Sequence, residues 1–85
     1  MRYLTQGGQT AERLQLLFSL TRIASDDIKA ALSDYLVRGL SDATASSLNG
    51  VAQSNFNRAL NGLEEVAATV ERIKEIDWRH LKSDN

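Results

Sequence analysis

Apolar residues recur along this chain at intervals of three and four, and no segment alternates with period two, so the pattern predicts helices throughout and no strand. Leu14, Leu17, Phe18 and Ile23 form the first stripe, and Leu16 and Leu20 widen it. Thr10 stands where an N-cap is needed, with Glu12 in the first turn, where the helix dipole favours negative charge. A first helix over Ala11–Ile23 follows. It is apolar around much of its circumference and should pack on two sides.

Ser25 is the next N-cap, with Asp26 and Asp27 behind it and a core face of Ile28, Ala31, Leu32, Tyr35 and Leu36. Gly39 is placed to end that helix in the left-handed conformation. Ser41 caps a short third helix reaching about Leu48, and Asn49-Gly50 marks a turn. A long fourth helix should run from about Gln53 into the mid-seventies. Phe56, Leu60, Leu63, Ala67 and Val70 form its heptad-like seam, broadened by Val66, Ile73 and Ile76. Glu71, Arg72, Lys74 and Glu75 give it a solvated face, and Trp78 and Leu81 are expected to fold back onto the bundle.

The expected fold is therefore all-α: a small helical bundle with a helix-turn-helix and a long C-terminal helix. At 85 residues it is one domain, spanning 1–85, with residues 1–9 a flexible lead-in through Gly7-Gly8 and residues 82–85 a flexible tail. A 42% hydrophobic fraction is too high for a disordered chain. A chain this small gains stability by pairing, and its apolar positions exceed what one stripe needs. Either the long helix packs on the first two within one chain, or its seam, with Leu16 and Leu20, forms a homodimer interface; the latter is preferred. No cysteine is present, which removes disulfides and thiolate metal sites, and no apolar run is long enough to span a bilayer. The chain reads as cytoplasmic.

Function is sought in the segment from Ser41 to Leu63. A short helix, a glycine turn and a second helix make a helix-turn-helix, whose demands are steric. Ala45 or Ser46 supplies a small residue at the crossing, Gly50 the turn, and Val51 an apolar plug. At about 100° per residue, Phe56, Ala59, Leu60 and Leu63 point inward. Ser54, Arg58 and Asn61 point outward, flanked by Gln53 and Asn57. Arginine can read guanine, and asparagine or glutamine can read adenine. Gln53, Asn57 and Arg58 are assigned to base edges, Ser54 and the helix N-terminus to a phosphate, and Asn61 to the same face. Arg38, at the end of the preceding helix, is a candidate backbone contact.

Charge bears on this reading in two ways. The net charge is −1, with six basic and five acidic residues from Met1 to Leu63 and four and six beyond. That lacks the basic footprint of a strong phosphate binder. Yet Ala43 to Leu63 contains no acid and a single arginine, Arg58, so phosphates can approach without repulsion. The rival reading is a helical protein–protein interaction module, an adaptor or anti-regulator without DNA binding, in which the Ser/Asn/Gln face is inert.

The run Ser33-Asp34-Tyr35-Leu36-Val37-Arg38-Gly39, then Ser41, and Phe56, Leu60 and Leu63 beyond it, resembles the PapB-type family of adhesin (fimbrial) operon regulators. The resemblance spans about Ser25 to Leu63. It implies a small helical cytoplasmic protein that binds AT-rich double-stranded DNA, oligomerises along it as a homodimer or higher homo-oligomer, and activates or represses adhesin transcription. It also implies that Asp34 to Gly39 belong to the helix supporting the reading pair, and that Gln53 to Arg58 start the reading helix. A weaker likeness to plasmid-encoded helix-turn-helix repressors covers the same segment.

No enzyme constellation competes. His80 is the sole histidine and has no converging ligand set in sequence, so no metal or cofactor is assigned. Asp26-Asp27 and Glu64-Glu65 are neighbours on a helix, about 100° apart rather than aimed at one atom. Ser46-Ser47 lacks a histidine partner, and no glycine-rich phosphate loop is present.

Overall fold

The computed structural model describes residues 3–83. Four helices account for it: α1 Ala11–Ser19, α2 Asp26–Leu36, α3 Asp42–Leu48 and α4 Gln53–Ser83. The first three begin at hydroxyl caps. Thr10, Ser25 and Ser41 accept from the backbone N–H groups of Arg13, Ile28 and Thr44 at 3.1, 3.3 and 3.1 Å. Each satisfies one of the donors that a helix start leaves without a partner.

The core gathers Leu14, Leu17 and Phe18 from α1, Ala31, Leu32 and Leu36 from α2, Ala45 from α3, and Phe56, Leu60, Leu63 and Ala67 from α4. Tyr35 meets the Phe56 ring edge-on, with centroids 5.7 Å apart at 84°. That contact locks α2 to the first turn of α4, on the side away from the outward polar residues. The seam that the spacing predicts in α4 is thus the core face over its first half.

Three expectations change. First, α1 ends at Ser19, short of Ile23. The Thr21 hydroxyl and backbone N–H both donate to Phe18 O, at 2.8 and 3.0 Å, and close the chain into a turn. Ile23 still packs on the core, but from a loop. Leu16 and Leu20, 64% and 61% exposed, leave the outer side of α1 uncovered, so it packs on one side within the chain.

Second, residues 3–9 are docked, not a loose lead-in. Leu4 is 1% exposed and belongs to the core. The Glu64 carboxylate accepts from the backbone N–H groups of Tyr3 and Leu4. Gly7 and Gln9 donate backbone N–H to Tyr35 O and Leu36 O, both at 2.9 Å. Those carbonyls lie in the last turn of α2, where no intrahelical donor exists, so the segment satisfies groups the helix cannot. Gly7 and Gly39, with φ of 69° and 81°, cross so closely that a Cβ on Gly7 would lie 3.3 Å from the Gly39 Cα. Met1 and Arg2 lie outside the described residues.

Third, α4 runs on to Ser83, and Trp78 and Leu81, 61% and 63% exposed, do not fold back. With no proline in the chain and no glycine after Gly62, nothing interrupts the i to i−4 ladder. The helix projects beyond the bundle and gives the molecule a long axis of 52 Å. Lys82 and Ser83 close α4, and the rest of the expected tail, Asp84 and Asn85, lies outside the described residues. Among the described residues, no helix is long and apolar enough to cross a membrane.

Candidate nucleic-acid interface

The link between α3 and α4 is built by its backbone. Gly50 has φ +65°; its N–H donates to Ser47 O at 3.2 Å, and the Val51 N–H donates to Ser46 O at 2.9 Å. This is a Schellman closure: a left-handed residue turns the chain, and the last carbonyls of α3 find donors. Val51 is half-buried against the core, the plug expected of it. Asn49 keeps an ordinary negative φ of −102°. Its side chain instead braces the turn, donating to Ala45 O at 2.7 Å and to Asp34 Oδ2 at 2.9 Å.

At the crossing, Ala45 is fully buried and Ser46 is 3% exposed. The Ser46 hydroxyl donates to Asp42 O at 2.8 Å within α3, and Gln53 Oε1 of α4 competes for the same proton at 3.1 Å. A larger residue would hold α3 and α4 apart.

Beyond the turn, Gln53, Ser54, Asn57, Arg58 and Asn61 are all exposed on one side of α4, while Phe56, Leu60 and Leu63 are buried on the other. The five are not equally free. Gln53 Nε2 donates to Asn57 Oδ1 at 3.2 Å and faces Asp42 Oδ2 at 3.5 Å, so this end of the face is pre-arranged. Asp42 stands just outside the acid-free run, and folding brings its carboxylate to the start of α4. Ser54, Arg58 and Asn61 make no side-chain hydrogen bond among the described residues.

The start of α4 differs from the other helix starts. Ala52 precedes it and can offer no capping oxygen, and its first turn holds no acid. Arg38 follows the end of α2 and is held by Asp34 in an ion pair of 3.0 Å. Asp34 also accepts from Asn49, so an Arg38–Asp34–Asn49 chain ties the end of α2 to the turn. The Asn49 amide above all, with Arg38 behind it, holds the Asp34 carboxyl below its ordinary value of 3.8, against the opposing effect of burial. The structure thus places Arg38 as a brace of the helix-turn-helix.

With this geometry in place, the family follows. A family model described as adhesin biosynthesis transcription regulatory protein, PapB, matches residues 1–76. The chain belongs to the PapB family. Its fold is shared with FocB of E. coli, whose 1.4 Å crystal structure superposes with a TM-score of 0.81 at 27% identity, over 86% of this chain and 83% of that one. No protein of curated function matches the sequence. The match extends well beyond the Ser25–Leu63 stretch that carries the resemblance. It takes in the docked segment before α1 and most of α4. A PapB-family chain is a transcription regulator, and its fold is all-α as the apolar spacing predicts.

One feature of the interface escapes sequence reasoning. Arg22, in the loop between α1 and α2, lines an open groove together with Arg58, Ala59 and Gly62 of α4. The sequence pattern assigns it to the first helix, and only the early end of α1 moves it. Among the described residues, no group of three His, Cys, Asp or Glu side chains is close enough to hold a metal ion.

Proposed function

We propose that this PapB-family regulator binds AT-rich double-stranded DNA through the first turns of α4 and controls an adhesin operon as a homodimer or higher oligomer. One observation carries the reading. Five side chains suited to base edges and phosphates share the exposed side of a helix whose other side is pinned in the core directly after a tight turn. A helix held in that way can enter a groove without reorganising. Gln53, Asn57 and Arg58 read base edges, with the Gln53–Asn57 bond presetting two amides for adenine. Ser54 and the uncapped start of α4 receive a phosphate, Asn61 extends the face, and Arg38, whose side chain stays 64% exposed beside Asp34, meets the DNA backbone near the turn. The site of action is the cytoplasm, where bacterial DNA lies.

Dimerisation is supported by the apolar residues that one chain leaves uncovered. Leu16 of α1 and Leu20, the residue that caps it, adjoin Val70 of α4 around one hollow, and Leu20 adjoins Val66 and Ile73 around the next. Ile73 is 53% exposed and Ile76 54%. A patch continuous across two helices is what a partner of the same kind covers. Two copies double the few base contacts and the few charges each chain brings.

Fluorescence anisotropy with AT-rich and GC-rich duplexes at several salt concentrations tests the proposal, with wild type and Arg58→Ala side by side. Saturable binding that prefers AT-rich duplexes and weakens by about 1–3 kcal/mol in the variant is expected. Absence of binding to every duplex at low salt removes the DNA reading and leaves the protein-binding module.

A further inference from the structure

The groove between the α1–α2 loop and α4 has three properties that a solvated surface does not require. It holds about 440 Å³ and is lined by Arg22, Ile23, Arg58, Ala59 and Gly62, with Glu65 toward the far end. First, its two arginines are without partners. Arg13 pairs with Glu71 and Arg38 with Asp34, whereas Arg22 and Arg58 make no ion pair or hydrogen bond among the described residues. Two guanidinium groups facing one groove repel each other unless an anion lies between them.

Second, Arg22 is mounted. On one side Thr21 is fixed by its two bonds to Phe18 O, and its hydroxyl accepts from the Ile23 N–H at 3.3 Å. On the other side Ile23 is packed into the core. The loop therefore presents Arg22 from a short, anchored stretch.

Third, the floor is bare. Gly62 sits inside α4, one turn beyond Arg58, where glycine weakens a helix relative to alanine. No packing explains it, because a Cβ there would meet nothing within 4 Å. With Ala59 beside it, Gly62 leaves an opening through which a second backbone can approach the helix closely.

We propose that this groove seats a sugar–phosphate strand of the DNA duplex. Arg22 takes a phosphate, Arg58 spans from that strand to the base edges, and Gly62 gives the strand room. Glu65, about two turns beyond Arg58, marks where the strand must leave the helix. The inference rests on α4 being the DNA-binding helix, and it adds a contact from an element outside the helix-turn-helix.

The test is salt-dependent anisotropy on an AT-rich duplex with wild type, Arg22→Gln, Gly62→Leu and Arg72→Gln, the last removing a cation of α4 that does not line the groove. Losing one phosphate contact lowers the slope of log affinity against log salt by about 0.9. If the two lines meet near 1 M salt, that is about eightfold weaker binding at 0.1 M. Arg22→Gln should show both changes and keep the wild-type preference between AT-rich and GC-rich duplexes. Gly62→Leu should keep the wild-type helical content and melting temperature, or exceed them, and still bind more weakly. Arg72→Gln should follow wild type. If wild type binds while Arg22→Gln and Gly62→Leu match it in affinity and slope, the groove is not a DNA contact, although α4 still is. If wild type binds no duplex, the groove proposal falls together with the DNA reading.

Discussion

Leu4→Ala is a sharp perturbation, because it separates a docked N-terminal segment from a loose one. Leu4 is 1% exposed and lies in the core, with its backbone N–H and that of Tyr3 on the Glu64 carboxylate. Leucine to alanine removes three buried carbons, about 2.4 kcal/mol at ~0.8 kcal/mol per methylene. A residual cavity would raise this toward the upper part of the usual range of about 2–5 kcal/mol. Leu4 sits near a chain end that can relax inward, so the cost should stay near the lower part, about 2–3 kcal/mol. For a domain of this size each kcal/mol shifts the melting temperature by about 4–8 °C, which puts the expected fall at about 10–20 °C. Thermal unfolding followed by circular dichroism at 222 nm reads it directly. Protein concentration must be held constant, because self-association would add to the apparent stability. Leu4→Met, which nearly conserves volume, should cost less than about 1.5 kcal/mol. A Leu4→Ala protein melting within about 2 °C of wild type would falsify the docking of residues 3–9.

Three further outcomes follow from the same structure. Gly50→Val places a β-branched residue at φ +65°, in the left-handed region; urea unfolding should show a loss of about 1–2 kcal/mol or more, and an unchanged midpoint would mean the turn is not built as described. Asp34 has a depressed folded pKa, so its stabilising contribution is complete above the unfolded value and disappears as pH falls through the folded one. Asp34→Asn should therefore be less stable than wild type at pH 6, and the gap should narrow below about pH 4; equal gaps at pH 6 and pH 3 would contradict the Asn49 and Arg38 contacts. Leu20→Glu and Ile73→Glu, on an exposed patch shared by α1 and α4, should convert a dimer to monomers in analytical ultracentrifugation while the helical content is kept. Self-association that survives both changes would place the interface elsewhere.

Much of this protein was determined by local chemistry and could be read from the chain. Thr10, Ser25 and Ser41 cap helices because a hydroxyl beside an apolar-periodic run satisfies a backbone donor three residues on, whatever the rest of the molecule does. Gly50 turns the chain because only its own φ is at stake, and the inward set Phe56, Leu60 and Leu63 follows from helical periodicity. The outward set Gln53, Ser54, Asn57, Arg58 and Asn61 is exposed for the same reason. The family resemblance between Ser25 and Leu63 likewise needed no coordinates.

Contacts between distant parts of the chain were decided only by the tertiary structure. Gly7-Gly8 reads as a flexible pair in isolation, yet Gly7 crosses Gly39 and the segment around it satisfies carbonyls of α2 some thirty residues on. Glu64 reads as a solvated acid until the N-terminal segment lies across it. Arg38 looks like a free cation near a reading helix, but folding sets Asp34 and Asn49 beside it. Arg22 and Gly62 acquire a common groove only because α1 stops at Ser19 and its loop returns toward α4. A helical period reports one face of one element. Which groups meet across elements depends on where each helix ends and on which unsatisfied backbone atoms its neighbours can reach.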